Sequence, residues 1–391
     1  MRFGLAGLQA GRGCEPDGLA EVARLAESLG FESLWAAEHV IIPDRVTSRY
    51  PFNAEGKLHN DPTASRPNPL IWLAFAAAAT SRIRLGTCIL LLPLRNPVLL
   101  AKETATLDRL SGGRLILGVG IGWMREEFDV LGSDWSDRGR RAEEYIGVLR
   151  ALWQHGPRSF SGTTVSFEDV HCIPTPVHQQ IPIVLSGTSE VAARRAGRLG
   201  DGYFPMGVTP ERLHELLGIA RTEAERSGRS PDRIEVTYLG APNSVEIDAA
   251  DGAGVDRYIV MDRTVDFTRE PERLIALAET LGLPRPGRPL SPRQSLLAEP
   301  PRPKRARART GCGRWRVRPQ QLLKDRRRMT GHGGSLGFMA PSCATDGTRR
   351  PFSCTQHVER IKLVTGQWHR AKGPDRASDF NVYVDFMDSQ V

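Results

Sequence analysis

The sequence predicts a closed (β/α)8 barrel over residues 1–285, and three observations carry that expectation. Strand-like and helix-like segments alternate through the first two thirds of the chain, the pattern of a parallel sheet with crossover helices. Eight strand-helix units can be counted in order. Together they fit a closed barrel, whose usual length is ~250 residues plus insertions, whereas an open doubly wound sheet would not need eight repeats.

The first strand is read at Arg2 to Ala6. The helix from Gly18 to Leu29 puts Leu19, Val22, Leu25, Ala26 and Leu29 on one face, and Gly30 ends it. Strand two spans Ser33 to Ala37. A long polar insertion, Pro43 to Asn68, precedes an alanine-rich helix to Thr80, and strand three covers Ile83 to Leu91. Asn96-Pro97 supplies an N-cap and a first-turn proline for a helix to Leu110. Strand four is Arg114 to Val119, with its helix at Asp137 to Trp153. After an excursion through Gly156 to Val177 come strand five at Ile181 to Leu185 and helix five at Ser189 to Leu199. Strand six (Gly202 to Pro205), helix six (Pro210 to Ser227), strand seven (Ile234 to Leu239), strand eight (Arg257 to Met261) and helix eight (Pro271 to Leu281) follow. Helix seven has only Asn243 to Ala253, a short stretch rich in Gly and Asp, and carries the weakest signal.

Hydrophobic residues make up 40% and charged residues 25% of the 391, the composition of an ordinary globular protein. The longest apolar runs, Leu70 to Ala79 and Cys88 to Leu94, fall well short of the ~20 residues needed to span a bilayer. No apolar leader precedes Phe3, so the expected location is cytoplasmic. Six scattered cysteines without a Cys-x-x-Cys pair point to reduced thiols and give no metal site. The net charge of +8 is unevenly placed: residues 291–391 hold 20 basic and 8 acidic residues, and residues 1–290 hold 33 and 37. The body is mildly acidic, and Trp315 and Trp368 alone do not supply the aromatic interleaving of a nucleic-acid binder. Seven prolines between Pro284 and Pro303, then the charge run Lys304 to Arg309, mark residues 286–391 as a Pro/Arg-rich extension expected to be disordered.

Active sites of barrels lie at the carboxyl ends of the strands, which directs attention to three segments. Strand two ends in Trp35-Ala-Ala-Glu38-His39, where a carboxylate and an imidazole can supply acid or base chemistry; a histidine that only holds the following loop is the equal alternative. Strand four ends in Gly118, Gly120 and Gly122 before Trp123, a spacing that lets a flat ring approach the backbone with the indole as cover. Strand five turns through Ser186, Gly187, Thr188 and Ser189 into a helix, an arrangement that serves either as a phosphate site or as an ordinary N-cap.

Longer segments carry a resemblance. Arg84 to Leu90, Leu94 to Arg114, Gly118 to Trp123, Arg138 to Glu143 and Arg194 to Gly202 resemble, in the same order, the bacterial luciferase-like monooxygenase superfamily, and among its branches the F-420-dependent oxidoreductases. The resemblance implies a TIM barrel that holds the deazaflavin coenzyme F-420, or alternatively FMN, at its carboxyl face. Glu38 and His39 would be the catalytic pair beside the ring. Thr87 and Cys88 match a position that often carries a bulge and a non-proline cis bond behind the ring; Gly118, Gly120, Gly122 and Trp123 would line the ring pocket, and Ser186 to Ser189 would hold phosphate. Members acting on glucose phosphate carry a glutamate directly after the glycines, where this chain has Trp123. The implied activity is hydride transfer between F-420 and a small organic substrate. An FMN-dependent monooxygenase and a non-catalytic flavin-binding paralogue remain alternatives, and a homodimer remains open for the assembly.

Overall fold

Nearly continuous apolar runs such as Leu115–Gly120 belong to strands buried on both faces, the situation of a parallel sheet covered by helices. The computed structural model describes residues 1–283 apart from 52, 54, 59, 60 and 263. Its strands are β1 (Arg2–Leu5), β2 (Ser33–Ala36), β3 (Arg84–Thr87), β4 (Leu90–Leu91), β5 (Leu115–Gly120), β6 (Arg158–Ser161), β7 (Ser166–Val170), β8 (Ile183–Ser186), β9 (Gly202–Phe204), β10 (Glu235–Gly240) and β11 (Arg257–Val260). Parallel pairing runs β1-β2-β3-β5-β8-β9-β10-β11 and returns from β11 to β1, with Arg2 opposite Arg257, so eight strands close a TIM barrel.

Strand three is not continuous as expected. The chain leaves the ladder at Cys88 and Ile89, whose peptide bond is cis, and β4 resumes with Leu90 opposite Val119. At that point the Thr87 hydroxyl donates to the Gly118 carbonyl at 2.6 Å.

The helices are α1 (Pro16–Ser28), α2 (Pro69–Ala79), α3 (Pro97–Ser111), α4 (Arg125–Val130), α5 (Arg138–Leu152), α6 (Glu190–Leu199), α7 (Pro210–Arg226), α8 (Ser244–Gly252) and α9 (Pro271–Thr280). Side-chain caps set many of their starts. Asn68 accepts from the Leu70 and Ile71 amides and Asn96 from those of Val98 and Leu99. The weakly signalled seventh unit forms as α8 because Asn243 caps the Glu246 amide while Glu246 reaches back to Asn243 and the Ala241 amide. The excursion after α5 is the antiparallel hairpin β6-β7, outside the barrel sheet.

Two apolar regions result. One lies between barrel and helices; the other fills the bore with Ala6, Trp35, Cys88, Ile116, Val184, Phe204 and Ile259. Trp35 is fully buried and lies across the bore, and a Cβ on Gly86 would stand 2.3 Å from its ring, so glycine is required there. Among the described residues no helix is long and apolar enough to cross a membrane. The expectation for residues 286–391 lies outside the described residues.

Candidate active site

The carboxyl ends of β2, β4, β5 and β8 bring most of the expected site residues to one face of the barrel. Gln9, just past β1, fixes the exit of β2: its amide donates to the carbonyls of Ala37 (3.2 Å) and Pro67 (3.4 Å), and the Ala37 amide donates to its oxygen. The next two residues, Glu38 and His39, then enter different environments.

Glu38 is buried, and both of its oxygens are engaged. One accepts the Leu91 amide at 2.6 Å and the other pairs with the Arg95 guanidinium. The pair ties the end of β2 to the chain just after the interrupted third strand. His39 is partly exposed and its Nδ1 lies 3.0 Å from Oε2 of Glu127, while Oε1 of the same carboxylate accepts the Val40 amide at 2.8 Å. Trp123 stands edge-on to His39 with ring centroids 5.9 Å apart, and Tyr50 from the insertion packs on Trp123 at 5.1 Å.

Residues 126 and 127 form a double anchor at the start of α4. Where Glu127 holds His39 and Val40, Glu126 accepts from the Thr47 amide and hydroxyl (both 2.6 Å) and the Ser48 amide (3.0 Å). Burial pushes the Glu126 carboxyl up, but these hydrogen bonds outweigh it and hold the group at about 2. The first part of the insertion is thereby pinned over the loop that follows β5.

Thr87 and Cys88 lie below this layer, both buried. Burial pushes the Cys88 thiol up to about 12, so it is neutral and unreactive near neutral pH. The strand-four glycines sit beside them, but their nearest neighbours belong to the protein. A Cβ on Gly118 would come 2.0 Å from the Thr87 carbonyl oxygen, one on Gly120 1.9 Å from the Ile89 side chain, and one on Gly122 2.8 Å from Phe128. Close packing of β3, β4 and α4 against β5 accounts for that spacing.

Ser186 ends β8, Gly187 follows at φ +137°, and Ser189 caps α6 by accepting the Ala192 amide at 3.2 Å. The Gly187 carbonyl accepts the Tyr203 hydroxyl at 2.8 Å, which fixes the turn. A side chain at 187 would meet Ala192 at 2.6 Å. The acidic residue of the first turn, Glu190, is exposed and paired with Arg194 at 2.8 Å. Backbone amides at a helix start and short hydroxyls form a donor set suited to a phosphate. Among the described residues, no group of three or more His, Cys, Asp or Glu side chains is placed to hold a metal ion.

Sequence reasoning missed Glu127, Glu126, Arg95, Gln9 and Tyr50. Two adjacent carboxylates three residues beyond Trp123 were the available signal for the first pair. Arg95 lies inside a segment quoted for its family resemblance.

A family model described as luciferase-like monooxygenase matches residues 2–277. An uncharacterized protein of Mycobacterium tuberculosis is 35% identical over 269 residues, 68% of this chain and 94% of that protein. An F-420-dependent glucose-6-phosphate dehydrogenase of Amycolatopsis mediterranei is 33% identical over 228 residues, 57% of this chain and 63% of that enzyme. Among solved structures, a monooxygenase from Streptomyces bottropensis superposes with a TM-score of 0.58 at 23% identity, covering 72% of this chain and 98% of the other.

Proposed function

The chain belongs to the luciferase-like monooxygenase family, and on that premise we propose that it transfers a hydride between coenzyme F-420 and a small organic substrate at the carboxyl face of the barrel. The observation that carries this reading is His39, held at the mouth by a buried carboxylate and flanked by Trp123. The similarity to an F-420-dependent dehydrogenase supports the choice of cofactor.

The residues present fit such a group. Ser186, Gly187, Thr188 and Ser189 would hold its phosphate at the start of α6, with the side-chain-free Gly187 keeping the turn open. Trp123 and the backbone beside Thr87 and Cys88 would border the ring. When bound, F-420 supplies a ring that accepts or donates two electrons as hydride, and the protein's contribution is placement and polarity. His39 holds or takes the substrate proton that accompanies hydride movement. Glu38, with both oxygens engaged, keeps the end of β2 against Leu91. Trp123 and Tyr50 narrow the mouth against water.

Absorption and mass of the copurifying cofactor, followed by parallel titrations with F-420 and FMN, test the proposal. Tight F-420 binding is expected. Preference for FMN with oxygen consumption would replace the reading by a monooxygenase, and tight binding without turnover would indicate a non-catalytic paralogue. We also assign the functional unit to residues 1–285: truncation after Leu290 is expected to leave cooperative unfolding and cofactor binding intact, and loss of either would show that the extension is part of the enzyme.

A further inference from the structure

We propose that Glu127 is the positioning residue that fixes the protonation pattern of His39, so that Nδ1 always carries a proton and Nε2 is the nitrogen that gains and loses one. The Glu127 side chain is 2% exposed, against 18% for His39. Its two oxygens have separate tasks: Oε1 takes the Val40 amide at 2.8 Å and Oε2 faces Nδ1 at 3.0 Å. An ionised carboxylate can only accept, so Nδ1 must donate. The same nitrogen is therefore protonated in both the neutral and the cationic ring.

Glu127 also holds the backbone of the following residue, so one carboxylate sets both the direction of the chain leaving His39 and the rotation of the ring. Trp123 closes one side edge-on at 5.9 Å. No described residue hydrogen-bonds Nε2. That nitrogen is the one available to a ligand at the mouth, which connects this inference to the proposed function: Nε2 matters chemically only if the cofactor ring and substrate sit there.

The test is nitrogen-15 magnetic resonance of the full chain labelled at histidine, with His39→Gln identifying the His39 signals. The wild type near pH 8 is expected to show a protonated Nδ1 and an unprotonated Nε2. Glu127→Gln has a single acceptor oxygen; with that oxygen on the Val40 amide its NH2 faces Nδ1, and the two nitrogen shifts should exchange places. A wild-type ring protonated at Nε2 would overturn the assignment without any variant, as would an unchanged pattern in folded Glu127→Gln. Saturation with F-420, and separately with FMN, is expected to move Nε2 and leave Nδ1 nearly still. If neither cofactor moves Nε2 while the pattern is as assigned, the placement of His39 by the ring fails and the role of Glu127 stands.

Discussion

The two ends of the barrel use the same residue types to opposite effect. At the amino end, the first residue of β11, Arg257, is fully buried and forms two 2.8 Å hydrogen bonds to the Glu32 carboxylate, with Glu235 and Thr237 taking a further guanidinium nitrogen. Arg2 donates to Glu235 at 2.8 Å, and Arg84 stands 3.9 Å from Glu32. Every charge in this floor is answered by another, and the Arg257 guanidinium lies 5.6 Å from the Trp35 ring that fills the bore above it. At the carboxyl end, the Glu38 carboxylate has both oxygens taken by Leu91 and Arg95, whereas His39, held by Glu127 at Nδ1, has no partner for its other ring nitrogen among the described residues. The difference separates holding from reacting: a network with its members paired fixes the chain, and under the proposed function the open nitrogen of His39 is where a ligand would be met.

The largest expected effect tests the floor. Arg257→Leu would leave the partly exposed carboxylates of Glu32 and Glu235 facing each other without their buried cation, a loss that costs up to ~3–5 kcal/mol where a pair is fully buried. An unfolding free energy lowered by up to that amount in a denaturant titration is expected, with cofactor affinity per folded molecule close to normal. Equal stability would mean that the floor is hydrated and carries little; lost affinity in folded protein would mean that the two ends are coupled.

Acid unfolding probes the same cluster more gently. Burial pushes the Glu32 carboxyl up, yet the hydrogen bonds and charge of Arg257 outweigh this and hold it at about 2. Because this folded value lies below the ordinary 4.5, the contribution is complete above that value and is lost as the pH falls from there toward 2. Glu32→Gln should therefore be less stable than the wild type at pH 7, with the gap closing steadily below pH ~4.5. A gap independent of pH would show that the ion pair is not its source.

How much of this was legible in the sequence follows the range of the interactions. Local patterns were readable in the apolar face of α1 and the Asn96-Pro97 start of α3, while α8, placed on the weakest signal, is held by a cap box that closes within six residues and was not read. The strand-end motifs gather at one face because a barrel's topology converts sequence position into depth. Pairings across strands were not readable. Glu127 reaches His39 across 88 residues and Arg257 reaches Glu32 across 225, and nothing in either local sequence marks its partner. The glycines after strand four looked like room for a ring, yet the atoms beside Gly118, Gly120 and Gly122 belong to Thr87, Ile89 and Phe128. Spacing reported a close approach without saying what approaches. Helix α4 has six residues, too few to show a period.

At the carboxyl end, a smaller effect is expected from Thr188→Asp. The neighbouring Gly187 is unsuitable for such a test, since φ +137° and the 2.6 Å approach of Ala192 would strain any side chain there. A carboxylate at 188 stands at the start of α6, where the helix dipole favours it by itself but where it would repel a bound phosphate. Cofactor affinity should fall by about tenfold, for a loss of ~1.4 kcal/mol, with the melting temperature unchanged or slightly raised. An unaltered dissociation constant would move the phosphate away from this helix.

The smallest effect concerns the boundary between the two regimes, which Cys88 marks. It lies in the bore with Trp35 and Phe204 below the layer of His39 and Trp123, and burial alone pushes its thiol up to about 12. Almost no thiolate exists near pH 8, and iodoacetamide reacts with the thiolate. Cys14, exposed beside Gln9, serves as the internal control. Peptide mapping after brief alkylation of the folded protein should find Cys14 modified and Cys88 untouched, with both labelled in denaturant. Protection of Cys88 would place the limit of the reactive end above the interrupted third strand, making residues 87 and 88 a wall of the ring pocket and not a participant. Labelling of Cys88 in the folded state, at a rate approaching that of Cys14, would instead carry solvent and reactivity down into the bore, and the division between a holding floor and a reacting mouth would have to be drawn at Trp35.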